Sequence, residues 1–137
     1  MPALPTQRGT AIFYAGLVVG VTFYATSIKF LAPSVPLPQL LDIGRQTFGH
    51  FVWLEAPLAG WMILASRRLP ASRVALALCV AGLVAFQHAA LRPILDARVG
   101  QVLMRQTPPP SNHHILYIGI ETLKLGIIAA LAVLPSR

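Results

Sequence analysis

Four long apolar runs dominate the chain, about Ala11 to Leu31, Thr47 to Ala65, Val74 to Leu91 and Ile115 to Leu134. Each approaches the roughly 20 residues that carry an α-helix across the hydrocarbon of a bilayer. The breaks between them are punctuated. Pro33, Pro36 and Pro38 follow the first run, and Arg67-Arg68-Leu69-Pro70 closes the second. Arg92-Pro93 closes the third, and residues 107–112 (TPPPSN) lead into the fourth, with Ser111 or Asn112 placed to cap it. The pattern predicts an all-α fold: an integral membrane four-helix bundle, one domain over residues 1–137, both termini on the same side. The first run is too long for the apolar part of a secretory leader and lacks a convincing small-residue cleavage site after it. It is read as a retained helix.

Composition sharpens this picture. The chain is 55% hydrophobic and 11% charged, against about 25% charged residues in ordinary soluble domains. Its net charge of +7 would suggest nucleic acid in a soluble protein. Here the cations are dispersed among loops with no basic face, which fits helix flanks meeting anionic lipid headgroups, with no nucleic-acid partner. Arg8, Arg67, Arg68, Arg73 and Arg137 fall on the side of the termini, and Lys29, Arg45, Arg92, Arg98 and Arg105 on the other. The three arginines of the second loop tip the orientation toward cytoplasmic termini in a cell inner membrane. Cys79 has no partner for an internal disulfide and reads as a small apolar residue. Walker-type loops, GxGxxG, HExxH, CxxC and nucleophile-elbow motifs are absent, which excludes nucleotide binding and hydrolase chemistry of those kinds.

The polar residues inside the runs carry the functional reading. His114, Tyr117, Glu121 and Lys124 are spaced +3, +4 and +3 and share one stripe of the fourth helix. Charge facing lipid is costly, so the stripe must turn toward other helices or a wet cavity. His50 and Glu55 enter with the second helix. His88 precedes Arg92 by a turn at the end of the third, and Lys29 ends the first. All lie toward the side holding loops 1 and 3, and the opposite half is almost wholly apolar. Glu55 and Glu121 should reach similar depth, because their helices enter from the same side. Pro57, two residues beyond Glu55, removes the donor to the Trp53 carbonyl and can kink the second helix there.

Three readings follow. In the first, His50, Glu55, His88, His113, His114 and Glu121 ligate a metal, since imidazole suits iron, copper or zinc and carboxylates add oxygen donors. His50, Glu55 and Glu121 would be catalytic, with Tyr117, Lys124 and Arg92 holding the cofactor or an anionic group. The chain would then be a membrane oxidoreductase or oxygenase acting on a lipophilic small molecule. A haem between His50 and His88 is the lesser form of the same idea. The usual Glu-x-x-His signature is missing, and His50 and Glu55 stand about 140° apart around their helix. In the second, the His/Glu/Lys cluster is a packing network in a small accessory subunit of a membrane assembly or in a homo-oligomer, with Glu121 and Lys124 as an i, i+3 pair. The Gly16-x-x-x-Gly20 motif permits close helix contact for either use. In the third, Glu55, Glu121 and His88 relay a proton or ion.

The stretches GVTFYATSIKFLAPSVPLPQLLDIGRQTFGHFVWLE, LRPILDARVGQVL and HHILYIGIETLKL cover much of the chain. Together they resemble the transmembrane protein 205-like family of small four-helix membrane proteins and, more distantly, the anthrone-oxygenase-like membrane proteins. The resemblance implies that Pro93 marks the turn after the third helix and that His113 or His114 is the histidine opening the fourth. The more distant family implies oxygenation of aromatic polyketides.

Overall fold

A computed structural model describes residues 6–135; Arg137, counted above among the flanking cations, lies outside the described residues. Four helices are long and apolar enough to cross a membrane: α1 (Gln7–Leu31), α2 (Leu37–Ser66), α3 (Ala71–Leu103) and α4 (His113–Val133). The described residues contain no strand.

Helix starts follow local chemistry. The Thr6 side chain accepts a hydrogen bond from the Gly9 N–H at 3.1 Å and caps α1. α2 begins at Leu37, well before the Thr47 that the apolar run predicted, because Pro36 and Pro38 sit where a helix start needs no N–H donor. Pro57 lies inside α2 without ending it. Asn112 occupies the cap position of α4 but makes no side-chain capping bond; the nearby Ser111 Oγ is 3.5 Å from the His113 N–H.

Arg92-Pro93 does not close the third helix as expected. Residues Gln87–Leu91 form a π-helical turn in which the Arg92 N–H reaches back five residues to the Gln87 carbonyl, and α-helix resumes through Leu103. The wider turn accommodates the proline ring and its missing donor. A second π-helical stretch, Val18–Ala25, lies within α1, and the Thr26 hydroxyl donates to the Val21 carbonyl at 2.9 Å at its end.

α1 packs against α2 and α4, α2 against α3, and α3 against α4, so the four helices close into a ring. Ala11, Tyr14, Val18, Phe51, Ala59, Met62, Ala77, Val80, Ile128 and Leu131 fill its interior. Phe13, Trp53, Ile115 and Leu123 are exposed on its outside, the distribution expected where lipid is the solvent. One end is pinned by Arg73, which sequence reading treated as a flanking loop cation. It is buried. Its guanidinium donates to Gln7 Oε1 at 2.7 Å and to the carbonyls of Leu131, Leu134 and Pro135 at 2.6, 3.0 and 3.1 Å. Gln7 Nε2 donates back to the Arg73 carbonyl at 3.3 Å. The first turns of α1 and α3 and the last turn of α4 therefore share one cation, and end carbonyls of α4 that lack intrahelical partners are satisfied. The half expected to be almost wholly apolar thus carries a polar clamp at its end.

Candidate functional site

The stripe on α4 turns inward over three of its four members. Tyr117, Glu121 and Lys124 are buried, whereas His114, in the first turn, is exposed. Lys124 is the centre. Its ammonium donates to Glu121 Oε1 at 2.6 Å, one turn back on the same helix, to Gln87 Oε1 on α3 at 3.1 Å, and to Glu55 Oε1 on α2. Lys124, Glu55 and Glu121 all have 0% exposure, so water does not share these bonds.

The surrounding groups complete the network. Tyr14 on α1 donates its hydroxyl to Glu55 Oε1 at 2.9 Å, and the Thr22 hydroxyl donates to Glu121 Oε2 at 3.3 Å. Gln87 Nε2 donates to the Tyr117 carbonyl at 3.4 Å. Every helix contributes, and Thr22, Gln87 and His88 all belong to the two π-helical turns. Such turns recur at functional sites because they redirect side chains by locally widening the helix. Removing the Tyr14 hydroxyl in Tyr14→Phe should lower stability by about 1–2 kcal/mol, as expected for losing a donor to a buried charged acceptor. Thermal unfolding in one detergent reads the difference, and an unchanged midpoint would show that the bond contributes nothing.

Two carboxylates face one ammonium, so the cluster carries one negative charge in excess when His88 is neutral. Glu55 Oε2 has no hydrogen-bond partner among the described residues, and neither ring nitrogen of His88 has one. His88 Nε2 stands 3.5 Å from that free oxygen. The pair is the one place in the cluster where donor and acceptor capacity is left over.

Other residues expected at the site do not join it. His50 is exposed, with Nδ1 engaged by the Gln46 carbonyl at 2.8 Å. His113 Nδ1 pairs with Ser111 Oγ at 3.0 Å. Arg92 lies against Gly49, where a Cβ would come within 2.5 Å of its Nη2, and its Nε is 3.3 Å from Asp96 Oδ2. The Tyr117 ring meets Phe48 edge-on at 5.5 Å between centroids. Among the described residues no group of three or more His, Cys, Asp or Glu is arranged to hold a metal ion. The six expected ligands fail to converge for two reasons. His50, well inside α2, and His114, in the first turn of α4, face outward, and His113 is half-buried beside Ser111, while inside the bundle Lys124 already occupies the space between the carboxylates. A haem between His50 and His88 would need both rings in one gap, and His50 stands on the exposed surface of α2.

Tyr14 and Gln87 are the members that sequence reading missed. Tyr14 lies within the first apolar run, where an aromatic ring gives no sign that its hydroxyl faces a buried acid. Gln87 had a usable signal: an amide within an apolar run beside His88 needs a partner in the interior. No protein-family model, curated protein or solved structure matches the chain.

Proposed function

We propose that the chain is a small integral membrane four-helix protein whose buried Glu55–Lys124–Glu121 cluster is a packing network, and that it serves as a structural or accessory subunit of a membrane assembly or homo-oligomer. The observation that carries this reading is the Lys124 ammonium, held by two carboxylates and an amide from three helices with no exposed surface. One rotational setting of the four helices meets all of these partners at once, and in a bilayer a misplaced charge finds no water to compensate it. Gly16 and Gly20 have open space where their side chains would be. Their surface on α1 is therefore free for close contact with another membrane helix. An even number of spans supports both termini on one side, and the Arg67-Arg68 loop supports a cytoplasmic placement in an inner membrane. The likeness to transmembrane protein 205-like proteins stands as a proposal of kinship in fold.

The second reading, a metal-dependent oxidoreductase or oxygenase acting on a lipophilic substrate, has one observation in its favour, the unpartnered Glu55 Oε2 facing His88. That pair supplies two donors, fewer than the three protein ligands of a typical catalytic zinc site. The residues present do not fit a resident metal. A single preparation in mild detergent tests both readings. The packing reading expects a species larger than the 14.8 kDa chain, or a copurifying membrane partner, and no stoichiometric iron, copper or zinc. Gly20→Leu should reduce the larger species. A strict monomer with no partner would sink the first reading, and about one metal per chain would restore the second.

A further inference from the structure

Each acid of this chain has a cation beside it. The sequence holds 4 Asp and Glu residues in all. Asp42 is paired with Arg45 at 2.5 Å and Asp96 with Arg92 at 3.3 Å, while Glu55 and Glu121 both hold Lys124. Arg98 is half-buried on the last turns of α3 and has no hydrogen bond or ion pair among the described residues. With every acid already beside another cation, the Arg98 guanidinium is available to an anion from outside.

Arg98 lines an open trough of about 480 Å³ between the end of α3 and the start of α4. Pro93, Ile94, Ala97 and Pro109 form apolar walls, and His113 stands at the rim with Arg98. A trough of this size is ample for part of a small ligand. It lies along the last turns of α3, beside the proline loop that leads into α4, at an end of the bundle that the membrane reading turns toward lipid headgroups. The surface of the trough is almost wholly apolar, which suits an acyl chain, and Arg98 stands at its edge with a guanidinium whose fork matches a phosphate.

We propose that this trough is a binding site for an anionic phospholipid of the surrounding bilayer. The phosphate engages Arg98 and one acyl chain lies along Ile94, Ala97 and Pro109. A zwitterionic phosphatidylcholine offers the same tail and phosphate, but its quaternary ammonium meets an end of the bundle already rich in cations. The site rests on the chain being a membrane protein and is independent of what the buried cluster does.

The test uses the full chain in mixed micelles with equal phosphatidylglycerol and phosphatidylcholine, with retained lipids counted by native mass spectrometry. The wild-type protein is expected to retain phosphatidylglycerol in about tenfold excess, the size of one charge-assisted contact. Arg98→Gln should bring the ratio close to parity. Ala97→Trp, which fills the trough, should lower retention of both lipids. Arg67→Gln, a cation removed elsewhere, should leave the ratio unchanged. Parity in the wild type, no effect of Arg98→Gln, or an equal effect of Arg67→Gln would overturn the site. None of those outcomes would touch the packing reading, which fails separately if the chain is a lone monomer.

Discussion

Replacing Lys124 with methionine is expected to destabilise the bundle by about 3–5 kcal/mol, the usual cost of removing one partner from a buried ion pair. Methionine has comparable length and reaches the same space, so the loss is electrostatic in origin. Glu55 Oε1 would keep only the Tyr14 hydroxyl, and Glu121 Oε1 and Gln87 Oε1 would lose the only partner each has in this network. Two carboxylates would then share a dry interior without an opposing charge. A loss of this size is a large share of the 5–15 kcal/mol that holds an ordinary domain together, so the single variant can fail to accumulate. The triple variant Glu55→Gln, Glu121→Gln, Lys124→Met keeps the question answerable. Exchanging a whole buried ionic set for neutral groups is often close to neutral, so the triple variant should recover most of the loss. Unfolding in a fixed detergent with added denaturing detergent reads all three proteins. A Lys124→Met protein within about 0.5 kcal/mol of wild type, the range of inconsequential surface changes, would remove the network from the account of what holds the helices together.

Arg73→Met should cost about 3 kcal/mol, and the damage should be confined to one end. The arginine donates to Gln7 Oε1 and to the carbonyls of Leu131, Leu134 and Pro135. Hydrogen bonds from a charged donor contribute about 1.5–3 kcal/mol each in favourable cases, and their effects overlap when they share one donor group. Hydrogen exchange separates this loss from that at Lys124. Amides in the first turn of α1 and the last turn of α4 should exchange faster, while those near Glu121 keep their protection. Arg73→Lys should recover less than half of the effect, because an ammonium lacks the planar fork that reaches several acceptors in fixed directions. Equal acceleration along the whole of α4 would show that Arg73 supports the fold globally instead of clamping one end.

The membrane helices were legible because a span is a long apolar run, and four such runs were present. Their ends were less so. The Leu37–Gln46 segment of α2 is too polar and proline-rich to register as hydrophobic, yet it is helical because its prolines fall in the first turn. The continuation of α3 past Pro93 depends on a π-helical turn, which leaves no mark on hydropathy. At the site, periodicity placed Tyr117, Glu121 and Lys124 together, and equal depth brought Glu55 to Glu121. Periodicity could not say which histidines would turn inward. His88 lies beside Glu55, but His113 and His114 sit in the first turn of α4, where a side chain reaches the surface without cost, and His50, well inside α2, faces outward with Nδ1 engaged by the Gln46 carbonyl. Arg73 was hidden by its position: a cation one residue before an apolar run looks like an ordinary flank until the end of α4 is brought beside it. Spacing left Lys124 either holding a cofactor or anionic group or pairing with Glu121; the structure has the Glu121 pair, with Glu55 and Gln87 as further partners.

The location of the ammonium on the last span has a consequence for biosynthesis. A ribosome delivers α2 to the bilayer long before α4 exists, so Glu55 must wait through the synthesis of about 70 residues for the group that neutralises it. Glu121 and Lys124 emerge within one turn of each other and travel as a pair. The hazardous passenger is therefore the nascent second helix, and a chain halted before Lys124 would present quality-control machinery with a lone acid in hydrocarbon.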